Sequence, residues 1–254
     1  MPPAGDFTFL DWPEPIPFAH RGGASEVPEN TMPAFEHAIR LGYRYIETDV
    51  HVTADGVLLA FHDDVLDRVT DGNGVVDELP WSVVRNAKVD GREPIPLFED
   101  LLGAWPDVRV NIDPKHDEAV EPLVATLQKC DAVDRVCIGA FSDERLEQVR
   151  ARLPGVCTSL GPLGTLQLGL AAQGEDVPES VSPCVQVPTH YLDTEIVTPA
   201  FIDAAHRREM QVHVWTIDEA HEMARLLDLG VDGIMTDRPK VLRDVLEQRG
   251  QWTS

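Results

Sequence analysis

The stretch "PFAHRGGASEVPENTMPAFEHAIRLGYRYIETDV", residues 17–50, contains one complete strand–helix–strand unit. A short apolar run at Pro17–His20 is followed by a glycine-containing loop and by the amphipathic segment "MPAFEHAIRLG". A second apolar run at Tyr45–Asp49 comes after that segment. Two parallel strands need a crossover of this kind, which is usually a helix. The stretch therefore predicts a parallel α/β architecture.

The same alternation continues along the rest of the chain. Amphipathic segments such as "LFEDLLGAW", "SDERLEQVRARL" and "DEAHEMARLLDLG" separate further apolar runs. Eight strands alternating with helices in 254 residues predict a (β/α)8 TIM barrel, formed as one domain over residues 1–254. A doubly wound open sheet is the alternative, but no GxGxxG motif follows the first strand. The remaining predicted strands lie near Val108–Asp113, Val136–Ala140, Val156–Leu160, Val185–Val187, Val212–Thr216 and Gly233–Thr236.

The segment "VHVTADGVLLAFHDD", residues 50–64, departs from this alternation because it leaves no room for a helix. Its "TADG" predicts a tight turn between two extended arms, with Gly56 in the left-handed conformation. If the two arms pair antiparallel, His62 returns to the neighbourhood of Glu47. The sequence thus predicts a β-hairpin inserted between the second strand and the second helix of the barrel.

The charge and hydropathy of the chain exclude several classes of partner. Its 44 acidic and 21 basic residues give a net charge of −23, which argues against nucleic acid and anionic membranes as partners. No segment reaches the roughly 18 consecutive apolar residues of a membrane span. The N-terminal "MPPAGDFTFLDWPEP" lacks the basic region and apolar run of a signal peptide. We expect a cytoplasmic protein that acts on a small molecule, with an oligomeric state that the sequence leaves open.

The four cysteines show neither metal-ligand spacing nor a redox motif. Three of the four lie in apolar segments, where a free thiol behaves as a small apolar side chain. We therefore expect reduced thiols in the core. The cysteines are Cys130, Cys137, Cys157 and Cys184.

Polar side chains stand at the ends of the first three predicted barrel strands, where TIM barrel enzymes carry their active sites. Glu47 and Asp49 are two residues apart in one strand, so their side chains point to the same side. Burying three carboxylates near one another is costly unless a cation neutralises them. A set of carboxylates without cysteine is typical of Mg²⁺ or Ca²⁺. The candidate acids are Glu47, Asp49 and Asp113.

Basic groups accompany these acids at the same strand ends. Two imidazoles can serve as base and acid, while a guanidinium or ammonium group holds developing negative charge. This combination favours phosphoryl chemistry, in which the first histidine moves a proton and the arginine beside it holds the phosphate. The groups are His20 and Arg21 at the end of the first strand, His62 in the hairpin and Lys115 two residues beyond the end of the third strand.

Residues 19–74, together with "NIDPK", "HVWTID" and "GVDGIMTDRP", resemble the glycerophosphodiester phosphodiesterase family over essentially the whole chain. The resemblance implies a barrel hydrolase that cleaves glycerophosphodiesters, such as glycerophosphocholine and glycerophosphoethanolamine, to glycerol 3-phosphate and an alcohol. The residues that match the family's HR…ExD…H signature are His20, Arg21, Glu47, Asp49 and His62.

The resemblance also implies roles for single positions. Family members hold a divalent cation with carboxylates at the positions of Glu47, Asp49 and Asp113. The third position is usually glutamate, in sequences like "NIEIK", so Asp113 is a shorter substitute. We expect Pro114, which replaces an apolar residue of that motif, to end the third strand early. Lys115 matches the motif's lysine, which implies a phosphate contact.

Trp215 matches the tryptophan of the family's "VWTVN" motif, with Asp218 in place of the usual asparagine. Its ring is expected either to form a wall for the glycerol moiety or to fill the barrel. For the reaction we expect one histidine to deprotonate the glycerol 2-hydroxyl, which attacks phosphorus, and the other to protonate the departing alcohol. Direct attack by metal-bound water is the alternative, and the order of the two histidines is left open.

Other functions compete with this one. A related phospholipase C- or D-like barrel acting on lysophospholipid, phosphoinositide or sphingolipid head groups should show an exposed apolar rim or basic patch near the active-site loops. The sequence shows neither clearly. Metal-dependent amidohydrolase and polymerase-type phosphoesterase barrels should carry HxH after the first strand, which "AHRGG" lacks. A non-catalytic binding barrel is disfavoured because both histidines and all three acids are present.

Overall fold

Eight strands pair in parallel around one sheet in the computed structural model, which describes residues 7–253. The strands and short ribbons of these residues are β1 Ile16–Ala19, β2 Tyr45–Val52, β3 Leu58–Ala60, β4 Lys88–Val89, β5 Glu93–Pro94, β6 Arg109–Pro114, β7 Val136–Ile138, β8 Cys157–Thr158, β9 Cys184–Pro188, β10 His190–Tyr191, β11 Thr194–Glu195, β12 Gln211–Trp215 and β13 Gly233–Thr236. The helices are α1 Met32–Arg40, α2 Trp81–Val84, α3 Phe98–Ala104, α4 Val120–Lys129, α5 Asp143–Arg152, α6 Pro162–Ala172, α7 Pro199–Arg207, α8 Ala220–Leu229 and α9 Pro239–Gln248. Residues 1–6 lie outside this range. They begin the N-terminal segment in which the sequence predicts no signal peptide.

The barrel strands follow the order β8-β7-β6-β2-β1-β13-β12-β9, and helices connect them. A parallel bridge between Ser159 and Cys184 joins the two ends of this order, and the Leu160 backbone nitrogen donates to Cys184 O at 2.9 Å. The bridge covers backbone groups that an open sheet edge would leave unpaired. The predicted (β/α)8 barrel is confirmed, and the doubly wound alternative is wrong.

The alternation of side chains along β2 determines which groups reach the barrel interior. Tyr45 packs inside the barrel against Phe9 and Phe18, whereas Ile46 packs outward among residues of the surrounding helices. Glu47 and Asp49 have the same parity as Tyr45. The strand therefore directs both carboxylates into the barrel at its carboxyl end.

The predicted hairpin is present. β2 and β3 pair antiparallel, with Val50 opposite Ala60 and Val52 opposite Leu58, and Gly56 in the turn has a φ of 84°. One further hydrogen bond, from the Phe61 backbone nitrogen to Asp49 O at 3.0 Å, extends the pairing to the residue before His62. The hairpin lengthens β2 to Val52, three residues beyond the predicted end.

Two details of the predicted boundaries are wrong. His20 does not end β1 but opens a 3-10 turn, His20–Gly22, directly after it. Pro114 does not end β6 early, because it pairs with Val50 as the last residue of the strand. Proline has no backbone N–H to donate. It is tolerated at a strand end, where its nitrogen faces no partner strand.

The segment between β3 and α3 packs on a small apolar cluster of its own. Leu59 and Phe61 come from the hairpin, and Leu66, Val76 and Val84 come from the residues that follow. This cluster fixes the residues after His62 beside the mouth of the barrel.

The barrel interior also contains three buried thiols, Cys137, Cys157 and Cys184, and Cys130 is half-buried. All four cysteines are free thiols. Within residues 7–253, each helix falls short of the length and apolarity that a membrane crossing needs.

Candidate active site

His20 is held at the mouth of the barrel by two acids. Its Nδ1 donates to Asp237 Oδ1 at 2.5 Å, and its Nε2 lies 3.8 Å from Glu47 Oε2. Burial acts to lower the pKa of His20, but the charges of Glu47 and Asp237 outweigh it and raise that pKa. The bond to Asp237 fixes the ring so that Nε2 is directed toward the acids of the site.

The glycines after Arg21 allow the chain to turn tightly against α1. Gly22 has a φ of 81°, and a Cβ at this position would lie 2.7 Å from the carbonyl carbon of Ala34. Gly23 has a φ of 103°, and its Cβ would lie 2.7 Å from Pro239 Cγ. A side chain at either position would push the turn, and with it His20, away from the barrel.

Arg21 lies among carboxylates. Its Nη1 donates to Glu29 Oε1 at 2.9 Å, its backbone nitrogen donates to Glu47 Oε2 at 3.0 Å, and its Nε lies 3.2 Å from Asp49 Oδ2. The buried Nε nevertheless makes no hydrogen bond, because the contact with Asp49 lacks hydrogen-bond geometry. The Arg21 guanidinium is therefore held between the carboxylates of Glu29 and Asp49.

The three predicted acids lie on two neighbouring strands. Glu47 and Asp49 are buried on β2, and Asp113 on β6 is the register partner of Asp49. Lys115 Nζ lies 2.6 Å from Asp49 Oδ1 and 2.7 Å from Asp113 Oδ2. The structure thus pairs Lys115 with two of the acids.

The positive charges of the protein do not fully balance the negative charges of these acids. Burial and the neighbouring Asp49 raise the pKa of Glu47 to about 7, and burial raises the pKa of Asp113. Burial also acts to raise the pKa of Asp49, but Lys115 and Arg21 outweigh it and lower that pKa. The site therefore favours additional positive charge, and its all-oxygen donors fit a hard divalent cation.

Within residues 7–253, the ligand oxygens of these three carboxylates do not all lie within 4.8 Å of one another. The ammonium of Lys115 contacts both an oxygen of Asp49 and an oxygen of Asp113. In the structure Lys115 supplies part of the positive charge that the acids require.

Asn30 is a site residue that the sequence reasoning missed. Its buried Nδ2 donates to Asp49 Oδ2 at 3.0 Å, and its Oδ1 accepts from Thr48 Oγ1 at 2.7 Å. The residue after Asn30 caps α1. Thr31 is the cap, since its hydroxyl accepts from the Ala34 nitrogen at 3.3 Å. The φ of 53° at Asn30, a conformation that asparagine tolerates, turns its amide toward Asp49.

His62 is oriented in the same way as His20, by an acid on Nδ1. The ring donates from Nδ1 to Asp63 Oδ1 at 2.6 Å, and Arg68 Nε donates to Asp63 Oδ2 at 2.5 Å. Arg68 Nη2 also donates to Glu29 Oε1 at 2.7 Å, and this carboxylate accepts from Arg21. A continuous chain of charged contacts therefore connects His62 to Arg21. The local sequence signal for this chain of contacts is Asp63, the acid directly after His62.

Trp215 ends β12 at the same face of the barrel. Its ring is half-buried and lies edge-to-face with Phe141, with 5.9 Å between centroids. Asp218 does not point at a substrate but accepts from Thr236 Oγ1 at 2.9 Å and from the Asp237 nitrogen at 2.8 Å. It thereby fixes the segment that carries the acid partner of His20.

The chain is similar to known proteins over most of its length. The family model described as "Glycerophosphoryl diester phosphodiesterase family" matches residues 20–241. This chain belongs to that family. A Mycobacterium tuberculosis protein named "Probable glycerophosphodiester phosphodiesterase 2" is 43% identical over 245 residues, covering 93% of this chain and 92% of that protein. A lysophospholipase D of Rattus norvegicus is 29% identical, over 90% of this chain and 85% of that protein.

Solved structures share the fold. A glycerophosphodiester phosphodiesterase of Agrobacterium tumefaciens matches with a TM-score of 0.76 and 23% identity, over 90% of this chain and 99% of that one. An Oleispira antarctica phosphodiesterase in complex with the product sn-glycerol-3-phosphate matches with a TM-score of 0.79 and 19% identity, over 92% and 97% of the two chains. The family member described here is an enzyme, a phosphoric diester hydrolase, as the sequence predicted, so the non-catalytic alternative is wrong.

Proposed function

We propose that the enzyme hydrolyses glycerophosphodiesters such as glycerophosphocholine and glycerophosphoethanolamine to glycerol 3-phosphate and an alcohol. The observation that carries the proposal is the set of basic groups around the carboxylates of β2: Arg21 Nε lies 3.2 Å from Asp49 Oδ2, Lys115 Nζ 2.6 Å from Asp49 Oδ1 and His20 Nε2 3.8 Å from Glu47 Oε2. A phosphate diester is the anion that two nearby imidazoles could cleave. The family and the product named in the Oleispira antarctica complex support the same substrate class.

Glu47, Asp49 and Asp113 are the residues that would hold one divalent cation, Mg²⁺ or Ca²⁺. The raised pKa values of Glu47 and Asp113 support this, because a bound cation would stabilise both carboxylates in the ionised form. When bound, such a cation supplies positive charge that stabilises negative charge on the phosphoryl oxygens.

His20 and His62 would transfer the protons. Each ring is fixed through Nδ1 by a carboxylate, Asp237 for His20 and Asp63 for His62, which leaves Nε2 of each ring for the substrate. One Nε2 takes the proton of the glycerol 2-hydroxyl, whose oxygen attacks phosphorus to form a cyclic phosphate. The other Nε2 donates a proton to the departing alcohol oxygen. The proton transfers then reverse as water opens the ring.

Arg21 and Lys115 would hold the phosphate during both steps. The guanidinium of Arg21 and the ammonium of Lys115 can move from the acids to the phosphate when a cation neutralises those acids. Trp215 would form a wall for the glycerol moiety. A cavity of about 580 Å³, lined in part by Arg68 and by Glu29, the partner of Arg21, would receive the leaving alcohol.

The decisive experiment is hydrolysis of glycerophosphocholine with and without a chelator. We expect EDTA to abolish the release of glycerol 3-phosphate and Mg²⁺ or Ca²⁺ to restore it. Asp113→Asn should need a higher cation concentration for half-maximal activity, whereas Asp134→Asn, on a turn remote from the three acids, should behave as the unchanged protein. Full activity after exhaustive chelation would contradict the cation assignment, and no release of glycerol 3-phosphate under any cation would contradict the function.

A lysophospholipase D activity is the second candidate, because the structure shows the apolar rim that the sequence did not. The exposed apolar side chains come from the loop after β7, from the first turns of α6 and from the ribbon between β9 and α7, all at the catalytic end. Phe141, which is 73% exposed, contacts Trp215 directly. The rim comprises Phe141, Leu163, Leu166, Tyr191 and Leu192.

Comparing kcat/KM for monomeric lysophosphatidylcholine with that for glycerophosphocholine separates the two candidates. If the rim binds an acyl chain, the lysophospholipid is preferred, and Phe141→Ser combined with Leu166→Ser removes this preference without changing glycerophosphocholine hydrolysis. Val181→Ser is the control, because Val181 is equally exposed but precedes β9 at the opposite end of the barrel. Preference for glycerophosphocholine in the unchanged protein would reject the second candidate.

A further inference from the structure

A second group of potential metal ligands lies beside the carboxylates of the active site. It consists of His51 on β2, Asp64 after β3 and His116 after β6. One ligand atom from each residue lies within 4.8 Å of the ligand atoms of the other two. We propose that these three residues bind a borderline divalent metal ion such as Zn²⁺, separately from the cation of the carboxylate site.

The distances within the group are close to those of a bound ion. His116 Nε2 lies 3.1 Å from Asp64 Oδ1, and His51 Nε2 lies 3.8 Å from the same oxygen. Ligand bonds of 2.0–2.2 Å in a tetrahedral zinc site place neighbouring ligand atoms about 3.3 Å apart. Side-chain shifts of less than about 1 Å would therefore bring the three atoms around one ion.

The donors favour a different metal from that of the carboxylate site. Imidazole nitrogens prefer Zn²⁺, Co²⁺ or Ni²⁺, whereas Mg²⁺ and Ca²⁺ prefer oxygen. Three protein ligands also leave a fourth position for water, as in open zinc sites. The side chain of His51 is 1% exposed and rigidly packed, while those of Asp64 and His116 are 69% and 34% exposed. An ion could thus enter from solvent between the two accessible ligands.

The position of the group follows from the strands that carry the active site. His51 comes two residues after Asp49, and His116 comes three residues after Asp113. A strand rises about 3.3 Å per residue, so the group lies roughly 7 Å further out along the same strands. His51 has the same parity as Glu47 and Asp49, which explains why it faces the same side.

Occupation of this group would affect His62. In the structure, His51 Nε2 donates to the backbone oxygen of His62 at 2.9 Å. A metal ion on Nε2 requires the neutral tautomer that carries its proton on Nδ1, so the hydrogen bond from Nε2 is lost and the His62 backbone is released. Because His62 is a proton-transfer residue in the proposed function, the zinc-bound enzyme should be less active. This consequence rests on the proposed function, whereas the binding site itself does not.

Cobalt and zinc binding to the folded enzyme test the site. In the presence of saturating Mg²⁺, which competes for the carboxylate site, we expect one Co²⁺ per chain, with visible absorption of an imidazole-ligated, low-coordinate ion. Zn²⁺ should displace it. His116→Ala and Asp64→Asn should each weaken Zn²⁺ binding in calorimetry by at least about tenfold. Both side chains are accessible, so the circular dichroism and Tm of these variants should be unchanged.

His37→Ala is the matched control, because His37 also contacts an acid, Glu26, at 2.7 Å but lies on α1 outside the group. It should leave Zn²⁺ and Co²⁺ binding intact. No stoichiometric binding to the unchanged protein, or equal binding by His116→Ala, would overturn the site. If zinc binds as described but glycerophosphodiesters are not hydrolysed, the site stands and the proposed function fails. If zinc binds without slowing hydrolysis, the proposal that the bound ion affects His62 is wrong.

Discussion

Glu47 is a carboxylate whose ionisation depends on a charge from outside the protein. It is 5% exposed, and the nearest side-chain base is His20, at 3.8 Å. Asp49, in contrast, receives an ion pair from Lys115 at 2.6 Å and lies 3.2 Å from Arg21 Nε. This difference explains why the pKa of Glu47 is raised to about 7 while that of Asp49 is lowered.

The raised pKa of Glu47 predicts how the stability of the chelated protein depends on pH. Below pH 4.5, the ordinary pKa of the group, Glu47 is protonated in the folded and unfolded states alike. As the pH rises from 4.5 to about 7, the unfolded chain loses the proton while the folded chain retains it. The free energy of unfolding therefore decreases over this range. Melting curves in EDTA should therefore show a Tm that falls over this window.

Glu47→Gln removes the titrating group and should therefore flatten the dependence of Tm on pH. Saturating Mg²⁺ should do the same in the unchanged protein. Glu118→Gln is the control, because Glu118 belongs to a turn after β6 and is exposed. Equal slopes for the unchanged protein and Glu47→Gln would show that other groups determine the dependence.

The two histidines predict a non-additive loss of activity. Replacing His20 or His62 by alanine removes a group needed in the transition state, so kcat should fall by about 10²–10⁴ in each variant. The double variant should lose much less than the product of the two, because both residues serve one coupled reaction. A substrate with p-nitrophenol as leaving group needs little protonation. It should rescue the variant that lacks the first-step acid and not the variant that lacks the base, and rescue of neither would contradict the two-histidine mechanism.

At the level of loops and strands, Arg68 connects two elements that the barrel does not join. Its guanidinium makes paired hydrogen bonds to Asp63, next to His62, and to Glu29, in the loop between β1 and α1. Glu29 in turn accepts from Arg21. A bidentate contact on each side fixes both distance and orientation, which a lysine at this position could not do.

Arg68→Gln should therefore lower kcat by about 10- to 100-fold, as is usual when a group that orients a catalytic side chain is lost. KM should change less, and the pH profile of kcat should shift because Asp63 no longer holds the His62 ring in one orientation. Arg152→Gln is the matched control, since Arg152 pairs with Glu121 at 3.0 Å on the exposed surface. An equal pH profile for Arg68→Gln and the unchanged protein would show that Arg68 has no positioning role.

The elements that the sequence predicted well are those determined by local pattern. Apolar runs located all eight barrel strands, and the "TADG" turn located the hairpin, because burial and turn chemistry act over a few neighbouring residues. The end of β6 was wrong because tertiary pairing with Val50 keeps Pro114 in the strand. Contacts such as His20 with Asp237, 217 residues apart, have no local signature and required the closed barrel.

At the scale of the whole molecule, the net negative charge repels an anionic substrate, whereas the basic groups of the site attract it. The net charge of −23 produces a negative field around the protein, which lowers the concentration of anions near its surface. Arg21 and Lys115 attract the phosphate only at close range, because each is paired with carboxylates. Approach of the substrate and its binding in the site should therefore respond differently to salt.

This opposition predicts an unusual salt dependence. The Debye length shortens from about 30 Å at 0.01 M to about 8 Å at 0.15 M, so added salt screens the distant acids much more than the groups in contact with phosphate. We expect kcat/KM for an anionic diester such as glycerophosphoglycerol to rise about two- to fivefold over this range at saturating divalent cation. Glycerophosphocholine carries no net charge, and its kcat/KM should stay nearly constant, which controls for effects of salt on the protein itself. A fall in kcat/KM for the anionic diester would mean that the cations of the site, and not the acidic surface, dominate the field along the approach.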